Sequence, residues 1–181
     1  LQHLDNLRLS GKIRHVGLSN ETAWGTSRWL TTARTHNLPQ MVSIQNEYSL
    51  LCRLFDLDMA ELSHHENIGL LSYSPLAAGL LSGKYADGTT PAGTRRSINA
   101  DLGGRINEHL WPALNGYLNI AERHELDPCQ MALAWAATRP FITSQIIGAT
   151  SITQLQTALE STNITLSDAV MYDIQNNYRR Y

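Results

Sequence analysis

Ile68-Gly69-Leu70-Leu71-Ser72-Tyr73-Ser74-Pro75-Leu76-Ala77-Ala78-Gly79 runs from a largely apolar segment into a Ser-Pro turn and a glycine. An apolar run of this length, Ile68 to Tyr73, fits a strand covered on both faces, and Pro75 ends it because proline has no N–H for a ladder. The Ser74 hydroxyl and free backbone N–H groups at such a strand end can hold a phosphate, and Gly79 lets backbone approach closely. Three further stretches repeat the arrangement: Val16-Gly17-Leu18-Ser19-Asn20, Ile44-Gln45-Asn46-Glu47-Tyr48 and Ile147-Gly148-Ala149-Thr150-Ser151. Helical patterns lie between them. Strand, polar turn and helix in repetition is the logic of a (β/α) barrel, whose function sits on the turns after the strands. The expected fold is therefore α/β: half of a TIM (β/α)8 barrel, four parallel βα units plus a C-terminal helix. Residues 1–181 form a single, incomplete domain on this reading.

Working outward, Leu1, Leu4, Leu7 and Leu9 give a helical stripe closed by Ser10-Gly11. Strands are expected at Lys12–Gly17, Met41–Gln45, Ile68–Tyr73 and Ser144–Ile147. A helix capped by Asn20 or Thr22 runs to about Thr35, where Asn37-Leu38-Pro39 stops it. Others are expected over Phe55–His65, Glu108–Glu125, Cys129–Thr138 after the Asp127-Pro128 start, Ser151–Ser161 and Asp168–Tyr178. Lys84 to Asn107 is irregular, rich in glycine, and carries Arg95, Arg96 and Arg105. A loop of that length is usually functional or disordered. The order predicts parallel strands with right-handed crossovers, an open sheet and an exposed apolar inner face.

The chain is 43% hydrophobic and 17% charged, with a net charge of -2. Those values fit a soluble globular domain and argue against nucleic acid or an anionic membrane as partner. No apolar run is long enough to span a bilayer and no signal peptide is recognisable. Cys52 and Cys129 match no metal or redox spacing and read as reduced, packed thiols of a cytoplasmic protein. Leu1, not Met, stands first and falls inside an amphipathic pattern, which reads as a cut. His64-His65 lacks a carboxylate or cysteine at metal spacing, so no metal ligand is assigned.

Each polar turn has two readings on its chemistry alone. Ser74 to Gly79 is a pyrophosphate turn or an ordinary strand end, with Tyr73 a platform for a flat heterocycle or a core residue. Gly148 to Ser151 is an anion site at a helix N-terminus or a capped helix. Ser19, Asn20 and Gln45 can read a carboxamide, or serve as caps and a satisfied amide. Lys84 and Arg95 can clamp phosphates or sit solvated.

Together the turns resemble the aldo-keto reductase superfamily, most closely the branch of Tas-like reductases and potassium-channel β subunits. The likeness rests on Gly11-Lys12-Ile13-Arg14-His15-Val16-Gly17-Leu18-Ser19-Asn20, on Ser72 to Tyr85 and on Ile147 to Ser151, in order and across essentially the whole chain. The resemblance implies a TIM barrel binding NADP(H) across its C-terminal strand ends and reducing aldehydes and ketones without metal or flavin. It implies that Ser19, Asn20 and Gln45 hold the nicotinamide carboxamide and that Tyr73 stacks on the ring. Ser74, Pro75, Leu76, Ala77, Gly79 and Lys84 then surround the pyrophosphate, Arg95 approaches the 2′-phosphate, and Gly148, Thr150 and Gln154 serve the adenosine end. Thr157-Ala158 stands where that branch commonly has Glu-Asn. The family's catalytic Asp, Tyr, Lys and His belong upstream of Lys12, so no catalytic residue is assigned. The likeness to channel subunits also admits a nucleotide-binding regulatory subunit without significant turnover. Oligomeric state and the particular carbonyl substrate are left open.

Overall fold

The structure is a computed structural model describing residues 1–181. Four strands, β1 (Val16–Ser19), β2 (Met41–Glu47), β3 (Gly69–Tyr73) and β4 (Ile142–Ile146), form one sheet in the order β1-β2-β3-β4, every pair parallel. Helices α1 (Gln2–Leu9), α2 (Ala23–Thr35), α3 (Met59–Glu66), α4 (Arg95–Ile98), α5 (Leu110–Arg123), α6 (Pro128–Ala137), α7 (Ile152–Glu160) and α8 (Asp168–Arg180) complete it. This is the expected partial α/β barrel. β1 and β4 are the two open edges of the sheet.

Several boundaries differ from the sequence reading. β1 starts at Val16, not Lys12, because its ladder begins only where Val16 meets Met41. β4 starts at Ile142, two residues early, because Ile142 pairs with Leu70. Leu54–Asp56 forms a separate 3-10 turn before α3, and the 84–107 segment holds a further 3-10 turn and the short α4. Of the two caps expected for α2, Thr22 and not Asn20 serves; Asp127 and Ser151 cap α6 and α7, and Ser167 caps α8, each accepting a backbone N–H at the start of its helix.

The helices cover one face of the sheet, where Ile44 and Leu70 are buried and Gln45's register neighbours alternate away. Gln145, on that covered face, donates from Nε2 to the Leu133 carbonyl of α6 at 3.0 Å. The opposite, lumen-side face carries Gly17, Ser19, Ser43, Gln45, Glu47, Leu71, Tyr73, Ser144 and Ile146, as the register and strand alternation require. The expected apolar inner face is therefore corrected: it is mostly small and polar. The buried strand residues Ile44 and Leu70 point at the helices, while Leu71 and Ile146 stand on the lumen side.

Trp135 of α6 is wholly buried at the centre of the core. Tyr48 stacks on it at 5.5 Å, and the guanidinium groups of Arg53 and Arg139 lie 5.0 and 4.5 Å from its ring. Arg53 also rests 3.8 Å from the Tyr178 ring and pairs with Asp56 at 2.7 Å, so this cluster ties α8 to the turn after β2.

Two buried tyrosines give the fold an alkaline limit. Burial, and the hydroxyl's bond to Asp56 at 2.7 Å, push Tyr48 well above the ordinary phenol range. Burial pushes Tyr117 up to about 12. A raised folded-state pKa means that the unfolded chain loses its proton first, so the stabilisation is complete below pH about 10 and drains away as pH rises. Urea midpoints are expected to fall steadily from pH about 10 upward, tracked by fluorescence; a flat profile there would contradict the burial of both phenols.

Candidate cofactor site

The C-terminal ends of the strands bring the three carboxamide-reading candidates, Ser19, Asn20 and Gln45, together with Tyr73. Ser19 lies in register with Gln45, and Tyr73 with Glu47 on β2 and Ile146 on β4. Asn20, just past β1, takes a left-handed backbone (φ 53°) while its N–H donates to the Gln45 carbonyl at 2.9 Å. That conformation turns its amide toward Ser19 Oγ at 3.3 Å, and the Tyr73 hydroxyl donates to Asn20 Oδ1 at 2.9 Å. Burial, then the nearby Glu47 carboxylate, hold the Tyr73 phenol above its usual range, so it stays a donor. Gln45 is half-buried and its side-chain amide has no hydrogen-bond partner within the chain. The Tyr73 ring and the Gln45 amide thus face the lumen side, one steered by Asn20, the other uncommitted.

The turn after β3 is tightly wound. Ser74, Ala77, Ala78 and Gly79 all have positive φ. The Ala77 N–H donates to the Ser74 carbonyl at 2.8 Å and the Gly79 N–H to the Leu76 carbonyl at 2.9 Å. Those two N–H groups are spent on the turn itself, while the Ser74 and Leu76 N–H groups are taken by no carbonyl. Pro75 fixes the backbone between them. At Gly79 (φ 94°) a Cβ would come within 2.9 Å of the Lys84 ammonium, so glycine makes room for the lysine to fold back over the turn. Lys84 Nζ lies 5.1 Å from the Tyr85 ring and has no carboxylate partner.

Arg95 opens α4 with an exposed side chain that bonds to nothing in the chain. Its neighbour Arg96 is committed: it donates to the Thr89 carbonyl at 2.6 Å and lies over Trp111 at 5.1 Å. Beyond β4, the Gly148 N–H has no backbone partner and the position is open. Thr150 and Gln154 do come together, but through each other. Gln154 Oε1 accepts from the Thr150 N–H at 2.9 Å and from its hydroxyl at 3.2 Å, while Ser151 caps Gln154. That is a reciprocal cap of α7, and it engages the Thr150 hydroxyl.

Two residues of the site escaped the sequence reading. Glu47, two residues beyond Gln45 on the same strand face, receives a bidentate pair from Arg105: Nε to Oε1 and Nη2 to Oε2, both 2.8 Å. The period-two alternation of β2 signals Glu47 as a lumen residue. Nothing local links it to an arginine 58 positions away. The thiols are held protonated by burial, Cys129 at about 11 and Cys52 raised with help from Glu47.

A sequence profile of the aldo/keto reductase family matches residues 1–179. The chain belongs to the aldo/keto reductase family. This aldo/keto reductase chain is 44% identical over its full 181 residues to the protein tas of Escherichia coli, covering 52% of that protein. It is 40% identical to an aldo-keto reductase of Babesia bovis over 86% of this chain and 57% of that one. It is 29% identical to a probable voltage-gated potassium channel β subunit of Arabidopsis thaliana over 78% of this chain and 47% of that one. The chain spans about half the length of the curated relatives it matches. No helix is long and apolar enough to cross a membrane.

Proposed function

We propose that this chain supplies most of the NADP(H) site of a carbonyl reductase. The observation that carries it is the convergence at the strand ends of the Asn20–Tyr73 pair and the uncommitted Gln45 amide, with partnerless cations at Lys84 and Arg95. A dinucleotide needs those groups: a flat surface and an amide for nicotinamide, free N–H groups and a lysine for pyrophosphate, and an arginine for the 2′-phosphate. Bound there, NADPH would supply a hydride for an aldehyde or ketone. Tyr73 would carry the ring on its face while Asn20 fixes its tilt. Ser19, Asn20 and Gln45 would hold the carboxamide and so set which face of the ring looks into the lumen. Ser74, Leu76, Gly79 and Lys84 would cradle the pyrophosphate, and Gly148, Thr150 and Gln154 would receive the adenosine end once Gln154 releases Thr150.

The proton donor is assigned to the complementary half of the barrel, because no tyrosine of this chain has the family's catalytic context. On this reading the chain alone does not reduce carbonyls. A complete barrel is made by joining it to the part of the E. coli relative that it does not cover. In that barrel, Arg95→Ala is expected to weaken NADPH by about 1–3 kcal/mol, the scale of a charge-assisted contact, and to leave NADH nearly unchanged. Fluorescence titrations with both cofactors decide it; equal losses would remove Arg95 from the 2′-phosphate.

A further inference from the structure

Half of the buried polar side-chain atoms that find no hydrogen-bond partner lie in one row across the sheet: Asn46 Oδ1, Ser72 Oγ and Gln145 Oε1. Asn46 stands in register with Ser72, and Ser72 with Gln145, all on the helix-covered side. Ser72 is wholly buried. Both amides are fixed at their nitrogen. Asn46 Nδ2 donates to the Glu21 carbonyl at 3.2 Å and Gln145 Nε2 to the Leu133 carbonyl at 3.0 Å. Turning either amide round would set its oxygen against a carbonyl, so both oxygens stay where they are. A buried polar atom without a partner is costly, and three in one row call for a ligand.

Donor and acceptor numbers point to water. Asn46 Oδ1 and Gln145 Oε1 only accept, whereas the Ser72 hydroxyl can donate once. Direct bonding within the row would leave one amide oxygen unpaired. A water molecule balances it: its two O–H groups go to the two amide oxygens, and its own oxygen accepts from Ser72. That makes three bonds, the usual number for a buried water. Neighbouring strands lie about 4.8 Å apart, so the amides stand about 10 Å apart at the backbone, with the short serine between them. Ala132 and Ala134, on either side of the Leu133 contact, are small and buried. A cation would also suit three oxygens, but the row has no carboxylate to offset a buried charge. Glu47, the nearest in sequence, is on the lumen side and held by Arg105.

We infer that Asn46, Ser72 and Gln145 seat one buried water, and that these three are positioning residues behind the cofactor face. Asn46 follows Gln45, Ser72 precedes Tyr73, and the Glu21 carbonyl that Asn46 holds follows Asn20. The water joins β2, β3 and β4 at the level where Gln45 and Tyr73 stand, and it touches neither cofactor nor substrate. The positioning role rests on the dinucleotide reading above; the water seat does not.

The test has two arms. A crystal structure of the 181-residue chain is expected to show a water about 2.7–3.2 Å from all three oxygens. A row whose side chains have turned to other partners, or one that holds a cation, overturns the seat. In the complete barrel, Ser72→Val puts a methyl where the hydroxyl stood. It is expected to lower turnover about tenfold and to leave the NADPH dissociation constant within about twofold, because the ring platform shifts while the phosphate contacts stay. Ser72→Thr has nearly the same shape but keeps the hydroxyl, and should restore most of the turnover. Equal losses in the two variants, or unchanged turnover in Ser72→Val, overturn the positioning role. A wild-type complete barrel that binds neither cofactor removes the dinucleotide reading and the positioning role with it, while the crystal structure still decides the water seat.

Discussion

Trp135→Ala is expected to cost about 3–5 kcal/mol of folding stability, the range for removing a wholly buried aromatic. The cost has three sources here. The indole is fully enclosed, so its removal leaves a cavity among Tyr48 and the surrounding core. Its stacked partner Tyr48 loses a face. Arg53 and Arg139 lose the ring that both guanidinium groups lie against, and Arg139 Nε, buried without an acceptor, has no other compensation. Because so large a loss can prevent folding of a small domain, Trp135→Phe is the companion variant, which keeps an aromatic face and should cost about half as much. Urea titrations of both variants measure it; a loss below about 1 kcal/mol for the alanine variant would mean that this cluster is not the keystone of the α6–α8 side.

Tyr73→Ala in the complete barrel is expected to lower turnover about a hundredfold while weakening NADPH by less than tenfold. The ring is the surface on which the nicotinamide would lie, and a hydride donor misplaced by an ångström loses far more rate than affinity. Tyr73→Phe separates the two parts of the residue. It keeps the platform but deletes the hydroxyl's 2.9 Å bond to Asn20. A modest loss of turnover is expected there. Unchanged steady-state kinetics in the alanine variant would show that Tyr73 serves packing alone.

Much of this was legible in the chain because the relevant signals are local. Pro75 ends β3 where a ladder N–H is missing, Asp127-Pro128 starts α6, and Ser151 starts α7. The turns after the strands follow directly, and with them the placement of Ser19, Asn20, Gln45 and Tyr73 at the strand ends. Strand ends were less legible because an edge strand extends only as far as its neighbour allows. Val16 and Ile142 begin their strands opposite Met41 and Leu70, and no feature of residues 12–15 or 142–143 announces it. The polarity of the lumen face was misjudged for a related reason: apolar content was visible, but its phase relative to the helices was not. The Glu47–Arg105 pair and the Trp135 cluster join residues far apart in sequence, which only the packed fold brings together. The engagement of Thr150 by Gln154 was hidden because a capping glutamine and an adenosine-binding glutamine have the same spacing.

On the proposed function, this half of the barrel positions NADP(H) while the complementary half completes the chemistry. Parallel assays of the 181-residue chain and the complete barrel, each supplied with NADPH and an aromatic aldehyde, test it most directly through loss of NADPH absorbance. The complete barrel is expected to turn over and the chain alone to show no rate above buffer. Carbonyl reduction by the chain alone at the rate of the complete barrel would contradict the account.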